Sequence, residues 1–158
     1  MNTVIVYATR TGNTRTVAET MGAELRALGA VEIHAVEAAP SLLPHDIDLL
    51  LVGGPTEGHG MTEPMKDWLL RIDPASLRER PAAAFDTRLT WPRLLSGSAA
   101  SGIARRLEEK GARLIADPES FMVTMKPELV AGETERAAAW ARQLAEVAGQ
   151  PSRDPVHA

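Results

Sequence analysis

The chain of 158 residues contains no cysteine. That excludes disulfides, thiol nucleophiles, cysteine-ligated zinc and iron–sulfur clusters together. No apolar run approaches the roughly 20 residues needed to cross a bilayer. Met1 leads straight into a strand pattern instead of a charged-then-apolar leader. We therefore read the protein as cytoplasmic, without membrane insertion. There is no basic stripe, and the formal net charge of −4 argues against nucleic acid as a partner. Aromatic residues make up only 4% of the chain, so few rings are available to stack on a ligand. No Gly-Lys pair occurs, which excludes a nucleotide-triphosphate P-loop. The loop after the first strand has one glycine where a dinucleotide fingerprint needs three.

The apolar fraction is 44% against 24% charged, an ordinary balance for one globular domain with a real core. Thr3 to Ala8 reads as a strand, carried by the apolar run Val4-Ile5-Val6. Val17, Met21, Leu25 and Leu28 then recur at helical spacing, which predicts a helix from Asn13 to Leu28 stopped by Gly29. Val31, Ile33 and Ala35 alternate with Glu32 and His34, as in an edge strand with one wetter face. Ser41 to His45 has room for a short helical piece. Ile47 to Gly54 is nearly continuous in apolar residues, the signature of a central parallel strand buried on both faces.

Gly53 to Gly60 is too rich in glycine and proline for regular structure and reads as a shaped loop. Met65, Trp68, Leu69 and Ile72 mark a helix, and Pro74 to Arg80 a second short one. Ala82 to Asp86 is a strand, and Thr87 to Gly97 an irregular loop containing Trp91-Pro92. A helix over Ser98 to Lys110 stops at Gly111. The fifth strand comes in two pieces, Arg113 to Ala116 and Ser120 to Thr124, split by Asp117-Pro118. Ala137, Trp140, Ala141, Leu144 and Ala148 line one face of a last helix, Glu133 to Ala148. The reading is thus one domain over residues 1–149 and a loose tail over 150–158.

Strands and helices alternate five times, which predicts an α/β fold: a doubly wound, five-stranded parallel sheet of order 2-1-3-4-5, sandwiched between helix layers. Ligands in such sheets sit at the carboxyl ends of the strands, beside the switch point between strands one and three. The three irregular loops all emerge there. A receiver domain shares this strand order but needs acids after strands one and three. This chain has Tyr7-Ala8-Thr9 and Gly53-Gly54-Pro55 instead.

The loop after strand one can hold a phosphate. The first turn of a helix presents unpartnered N–H groups and the positive end of the macrodipole. Thr9, Thr11 and Thr14 carry hydroxyls, Asn13 an amide and Arg10 a charge, and Gly12 lets the backbone come close. No acidic pair lies near enough to suggest a magnesium site.

Tyr7-x-Thr9-x-x-Gly12-x-Thr14-x-x-x-Ala18 resembles the phosphate loop of the flavodoxin family. The resemblance continues through Gly54-Pro55-Thr56, Phe85-Asp86-Thr87-Arg88 and Ser96-Gly97-Ser98-Ala99, and takes in nearly all of residues 1 to about 148. It is closest to the short-chain type, since the fifth strand has no long insertion. It implies FMN as cofactor, with the phosphate on Thr9, Arg10, Thr11, Gly12, Asn13 and Thr14. The isoalloxazine edge would lie between the second loop (Pro55, Thr56, Glu57, Gly58, His59, Gly60) and the third (Asp86, Thr87, Arg88, Trp91). Gly58 or Gly60 would offer a peptide carbonyl to flavin N5. Two departures stand out: Met21 replaces the usual Leu, Ile or Val, and Glu57 stands where many flavodoxins place a stacking aromatic. Trp91 would cover one ring face, and His59 or Met61 the other. If Glu57 points inward, its charge lowers the potential of the fully reduced couple; if outward, it shapes partner contacts.

Trp68 and Trp140 lie on apolar helical stripes and read as core. No side chain stands out as an acid/base catalyst. The resemblance implies a small electron carrier with redox partner proteins, a reductase and an acceptor. Two alternatives stay open: an FMN-dependent oxidoreductase acting on quinone, porphyrinogen or a nicotinamide donor, and a flavin-free interaction or regulatory module.

Overall fold

In the computed structural model, residues 1–91 and 97–151 are described. The elements are β1 (Thr3–Tyr7), α1 (Asn13–Leu25), β2 (Val31–Ala35), β3 (Leu49–Pro55), α2 (Glu63–Arg71), β4 (Pro81–Leu89), α3 (Ala99–Glu109), β5 (Arg113–Leu114), β6 (Glu119–Val123) and α4 (Glu133–Ala148). The strands form one parallel sheet in the order β2-β1-β3-β4-β5, and β6 also pairs with β4. The expected order is therefore the observed one. The divided fifth strand is observed too: β5 pairs with the start of β4 and β6 with its end, on either side of Asp117-Pro118.

Alternation along the strands divides the core into two layers, because successive side chains point to opposite faces. Val4, Val6, Leu50 and Val52 face α2 and α3, where Met65, Trp68, Ile103 and Leu107 meet them. Ile5, Leu49, Leu51 and Phe85 face α1 and α4, against Val17, Met21, Ala137 and Leu144. Both tryptophans expected in the core are buried. Trp68 donates its indole N–H to Pro40 O at 3.0 Å. Trp140 joins Phe85 and Phe121 in a mutually edge-on trio with centroid spacings of 6.0 to 6.4 Å. Gly53 makes room for this trio, since a Cβ there would lie 2.3 Å from the Phe85 ring.

The seam between β6 and α4 is ionic. Arg136 makes a fork on Glu133, at 2.9 and 2.8 Å, and reaches Glu119 at 2.9 Å. It also donates to Ser120 O and lies over the Phe121 ring, 4.6 Å from its centroid. Glu133 in turn accepts the Met122 N–H at 2.7 Å. Hydrogen bonding from Arg136 holds the Glu133 carboxyl below the usual range, against the opposing effect of burial, and the Arg136 guanidinium is raised by the same contact.

Five expectations are corrected. Strand β3 runs on through Pro55, because Gly53, Gly54 and Pro55 pair with Phe85, Asp86 and Thr87 of β4, so the irregular loop expected from Gly53 begins only after Pro55. Helix α1 ends at Leu25, not Leu28. The chain leaves the helix there in a tight turn, with the Leu28 N–H donating to Leu25 O at 2.9 Å, and Ala30 O then accepts the Thr3 N–H at 2.9 Å. Leu28 is left half exposed although it continues the helical spacing. Ser41 to His45 forms no helix; the short 3-10 piece lies earlier, at Val36–Ala38. Pro74 to Arg80 is helical only over Pro74–Ser76, again as 3-10. Strand β4 runs on through Leu89, because Thr87 to Leu89 pair with Phe121 to Val123 of β6. The irregular loop expected from Thr87 therefore begins after Leu89. Its residues 92–96, like residues 152–158 of the tail, lie outside those described.

Candidate functional site

The three candidate loops meet at the carboxyl edge of the sheet, around an open cleft of about 300 Å³. Arg10, Thr11 and Asn13 line it from the first loop, Pro55, Thr56 and Glu57 from the second, and Thr87 and Arg88 from β4. Thr124, Met125 and Pro127, which follow β6, complete the wall. Sequence reasoning missed these last three. The signal was available, since the loop after every strand of such a sheet emerges on the ligand side.

The first loop has the donors an anion would need. Gly12 precedes α1 with φ 93°, in the left-handed region, and no side chain caps the helix. The first intrahelical bond is Thr16 N–H to Gly12 O, at 3.0 Å. The N–H groups of Asn13, Thr14 and Arg15 therefore lie ahead of any intrahelical acceptor. Thr9 Oγ1 accepts the Gly12 N–H at 3.0 Å, and Thr11 Oγ1 accepts Asn13 Nδ2 at 3.2 Å. Each hydroxyl is used internally as an acceptor, so its own proton is left to donate outward. A Cβ on Gly12 would meet nothing within 4 Å, so the space above the loop is open. Uncapped N–H groups, donor hydroxyls and open space fit a phosphate monoester.

Two residues of this loop are differently employed. The Asn13 side chain donates to Pro127 O at 2.7 Å as well as to Thr11, which ties the loop to the one after β6. Both amide protons are thereby spent, and only the backbone N–H of Asn13 remains for a ligand. The Thr14 hydroxyl is buried against that of Thr87, at 2.8 Å.

The second loop is a tight turn. Glu57 and Gly60 exchange both backbone hydrogen bonds, at 2.8 and 2.9 Å. Gly58 and His59 between them both have positive φ, 50° and 70°, the pattern of a type I′ turn. A Cβ on Gly58 or Gly60 would touch nothing within 4 Å, so this backbone faces open space. His59 is exposed; its carbonyl lies against Gly97, where a Cβ would come within 2.2 Å of it. Glu57, the departure noted in the sequence, is held by Arg10 with Nε–Oε1 2.5 Å. The carboxylate thus points at the first loop and bridges it to the second.

At the third loop, Arg88 donates to Trp91 O at 2.7 Å, and the Trp91 side chain is 51% exposed. Asp86 is fully buried. Its Oδ2 accepts from Ser98 Oγ (2.8 Å), Ala100 N (3.0 Å) and Thr56 Oγ1 (3.2 Å). Its Oδ1 has no hydrogen-bond partner among the described residues. Asp86 therefore anchors loops from beneath and does not reach the cleft surface.

Among the described residues no helix is long and apolar enough to cross a membrane.

The flavodoxin family model matches residues 5–140. No protein of curated function matches the chain in sequence. Several solved structures share its fold. A flavodoxin from the domain Archaea superposes with a TM-score of 0.76 at 19% identity, with 95% of this chain and 100% of that one covered. Oxidised flavodoxin 1 from Bacillus cereus gives 0.78 at 20% identity, covering 92% and 98%. The rubredoxin oxygen:oxidoreductase of Desulfovibrio gigas gives 0.70 at 18% identity, but its match takes in 94% of this chain and only 37% of that longer one. At these identities the structural likeness speaks to the fold; the family rests on the model match.

Proposed function

The chain belongs to the flavodoxin family, an FMN-binding group of redox proteins, and from that premise we propose that it is a small electron carrier between partner proteins. FMN supplies the electron-accepting and electron-donating chemistry, and the protein supplies its position and electrostatics. In this reading the phosphate is held by the hydroxyls of Thr9 and Thr11 and the N–H groups of Asn13, Thr14 and Arg15. The ring lies along the cleft between the second loop and the end of β4. The observation that carries the reading is the N-terminus of α1, which has no side-chain cap and is surrounded by hydroxyls turned to donate.

Glu57 enters this picture as half of an ion pair, not as a bare charge. Arg10 offsets much of the repulsion a lone carboxylate would exert on an electron-rich ring. A reductase supplies electrons and an acceptor removes them; the half-exposed Trp91 and the exposed Met125 give such partners an apolar rim to approach. The test is addition of FMN to the purified protein, followed by its absorbance. A perturbed flavin band with stoichiometric binding is expected. No binding up to high micromolar FMN would sink the reading, and sustained NAD(P)H turnover by the holoprotein alone would replace the carrier by an oxidoreductase.

A further inference from the structure

Asp86 and Thr87 are consecutive residues at the centre of the carboxyl edge, both buried although both are polar. Neighbours in a strand point to opposite faces of the sheet. Here each reaches a different part of the site. Thr87 points toward α1, where its hydroxyl meets that of Thr14 in the first helical turn at 2.8 Å. Asp86 points toward α3, where one carboxylate oxygen gathers Ser98 Oγ, the Ala100 N–H and Thr56 Oγ1. Thr56 is tied further: its hydroxyl accepts the Ala99 N–H at 2.9 Å, and its own N–H donates to Thr87 O at 2.9 Å. The second loop is thus fastened to β4 and to the start of α3 immediately before the Glu57–Gly60 turn.

We propose that this dipeptide is a two-sided positioning device that divides the flavin between its residues. Thr87 sets the phosphate end by holding the first turn of α1, and Asp86 sets the ring end by holding the second loop. In this reading each acts through its neighbours: the Thr87 hydroxyl is turned to Thr14 and the Asp86 carboxylate is buried beneath the loops. The inference rests on the FMN reading above and deepens it.

The consequence is a crossed pattern in ligand selectivity. Riboflavin has the ring and ribityl chain of FMN but no phosphate. Thr87→Val leaves Thr14 Oγ1 buried without its partner and loosens the phosphate end alone. It should weaken FMN about tenfold and riboflavin less than about twofold. Asp86→Ala strands one buried and two half-buried donors and frees the second loop. It should weaken FMN and riboflavin equally, by about tenfold or more. Asp86→Asn retains one oxygen where Oδ2 stands, with its amide group at the Oδ1 position, which has no partner among the described residues. It should recover both affinities to within about threefold of wild type.

The experiment is titration of the wild type and the three variants with FMN and with riboflavin, at a temperature where circular dichroism shows all of them folded. The crossed pattern supports the division. Parallel losses of both ligands in Thr87→Val overturn it, because a merely structural role would move both together. If Asp86→Ala does not fold, Thr56→Val decides its half: it removes the second loop's tie to Asp86 and should weaken FMN and riboflavin alike, whereas a selective loss of FMN contradicts a ring-side role. A wild type that binds neither ligand overturns the flavin reading itself, and this one with it.

Discussion

Gly97 and Gly12 offer a matched test of how the site is held. Both sit in the left-handed region, at φ 71° and 93°. Alanine at either position costs the strain of that conformation, about 1–2 kcal/mol. They differ in what the new Cβ meets. At Gly12 there is nothing within 4 Å, while at Gly97 it would lie 2.2 Å from His59 O and 2.6 Å from His59 C and Cα. Those are backbone atoms, so relief requires moving the second loop and not merely rotating a side chain. Overpacking of this kind adds about 1–3 kcal/mol. At roughly 2–4 °C per kcal/mol for a chain of this size, apo Gly97→Ala should melt roughly 2–12 °C below apo Gly12→Ala. Thermal unfolding followed by circular dichroism reads the difference directly. Equal midpoints for the two variants would refute the claim that Gly97 and the His59 carbonyl are in enforced contact.

Gly53→Ala drives a Cβ to 2.3 Å from a Phe85 ring wedged between Phe121 and Trp140. It should cost about 1–3 kcal/mol in urea unfolding, and Phe85→Leu in the same chain should recover part of that. Glu133, whose folded-state carboxyl is depressed by Arg136, stabilises the fold above its unfolded pKa of about 4.3 and loses that contribution as pH falls through its lower folded value. Glu133→Gln should therefore be less stable than wild type at pH 7, with the gap closing as the pH drops below about 4; a gap constant with pH contradicts the linkage. Trp91→Ala should leave apo stability within about 0.5 kcal/mol, because the side chain is half exposed. It should also weaken FMN several-fold and brighten any bound flavin fluorescence; unchanged FMN affinity would remove Trp91 from the ring site.

What could be read from the sequence was what local pattern encodes. Val4-Ile5-Val6 running into the Thr9–Thr14 hydroxyls, and the buried run before Gly53, are enough to give the sheet order and the loop that opens α1. What could not be read depends on partners far along the chain. The last turn of β4 is Thr87-Arg88-Leu89, too polar to announce a strand, and it exists because Phe121 to Val123 lie beside it. The Asn13 amide looked like a phosphate donor, yet it is claimed by a carbonyl 114 residues away. Thr14 and Thr87, 73 residues apart, likewise remove each other's hydroxyl from view. Glu57 was legible as a departure, but its pairing with Arg10 was not, since no periodicity links the two loops. In sequence Asp86 reads as a contact of the flavin, yet the fold buries it and turns its carboxylate to Thr56, Ser98 and Ala100 instead of to the cleft surface.

The central claim is that the open N-terminus of α1 holds the FMN phosphate. Backbone amide chemical shifts during titration with FMN, and separately with riboflavin, test it most directly. The account predicts that the amides of Gly12 to Thr16 move strongly with FMN and little with riboflavin, while those of Thr56 to Gly60 respond to both. Binding of FMN that leaves Gly12 to Thr16 unmoved would contradict it.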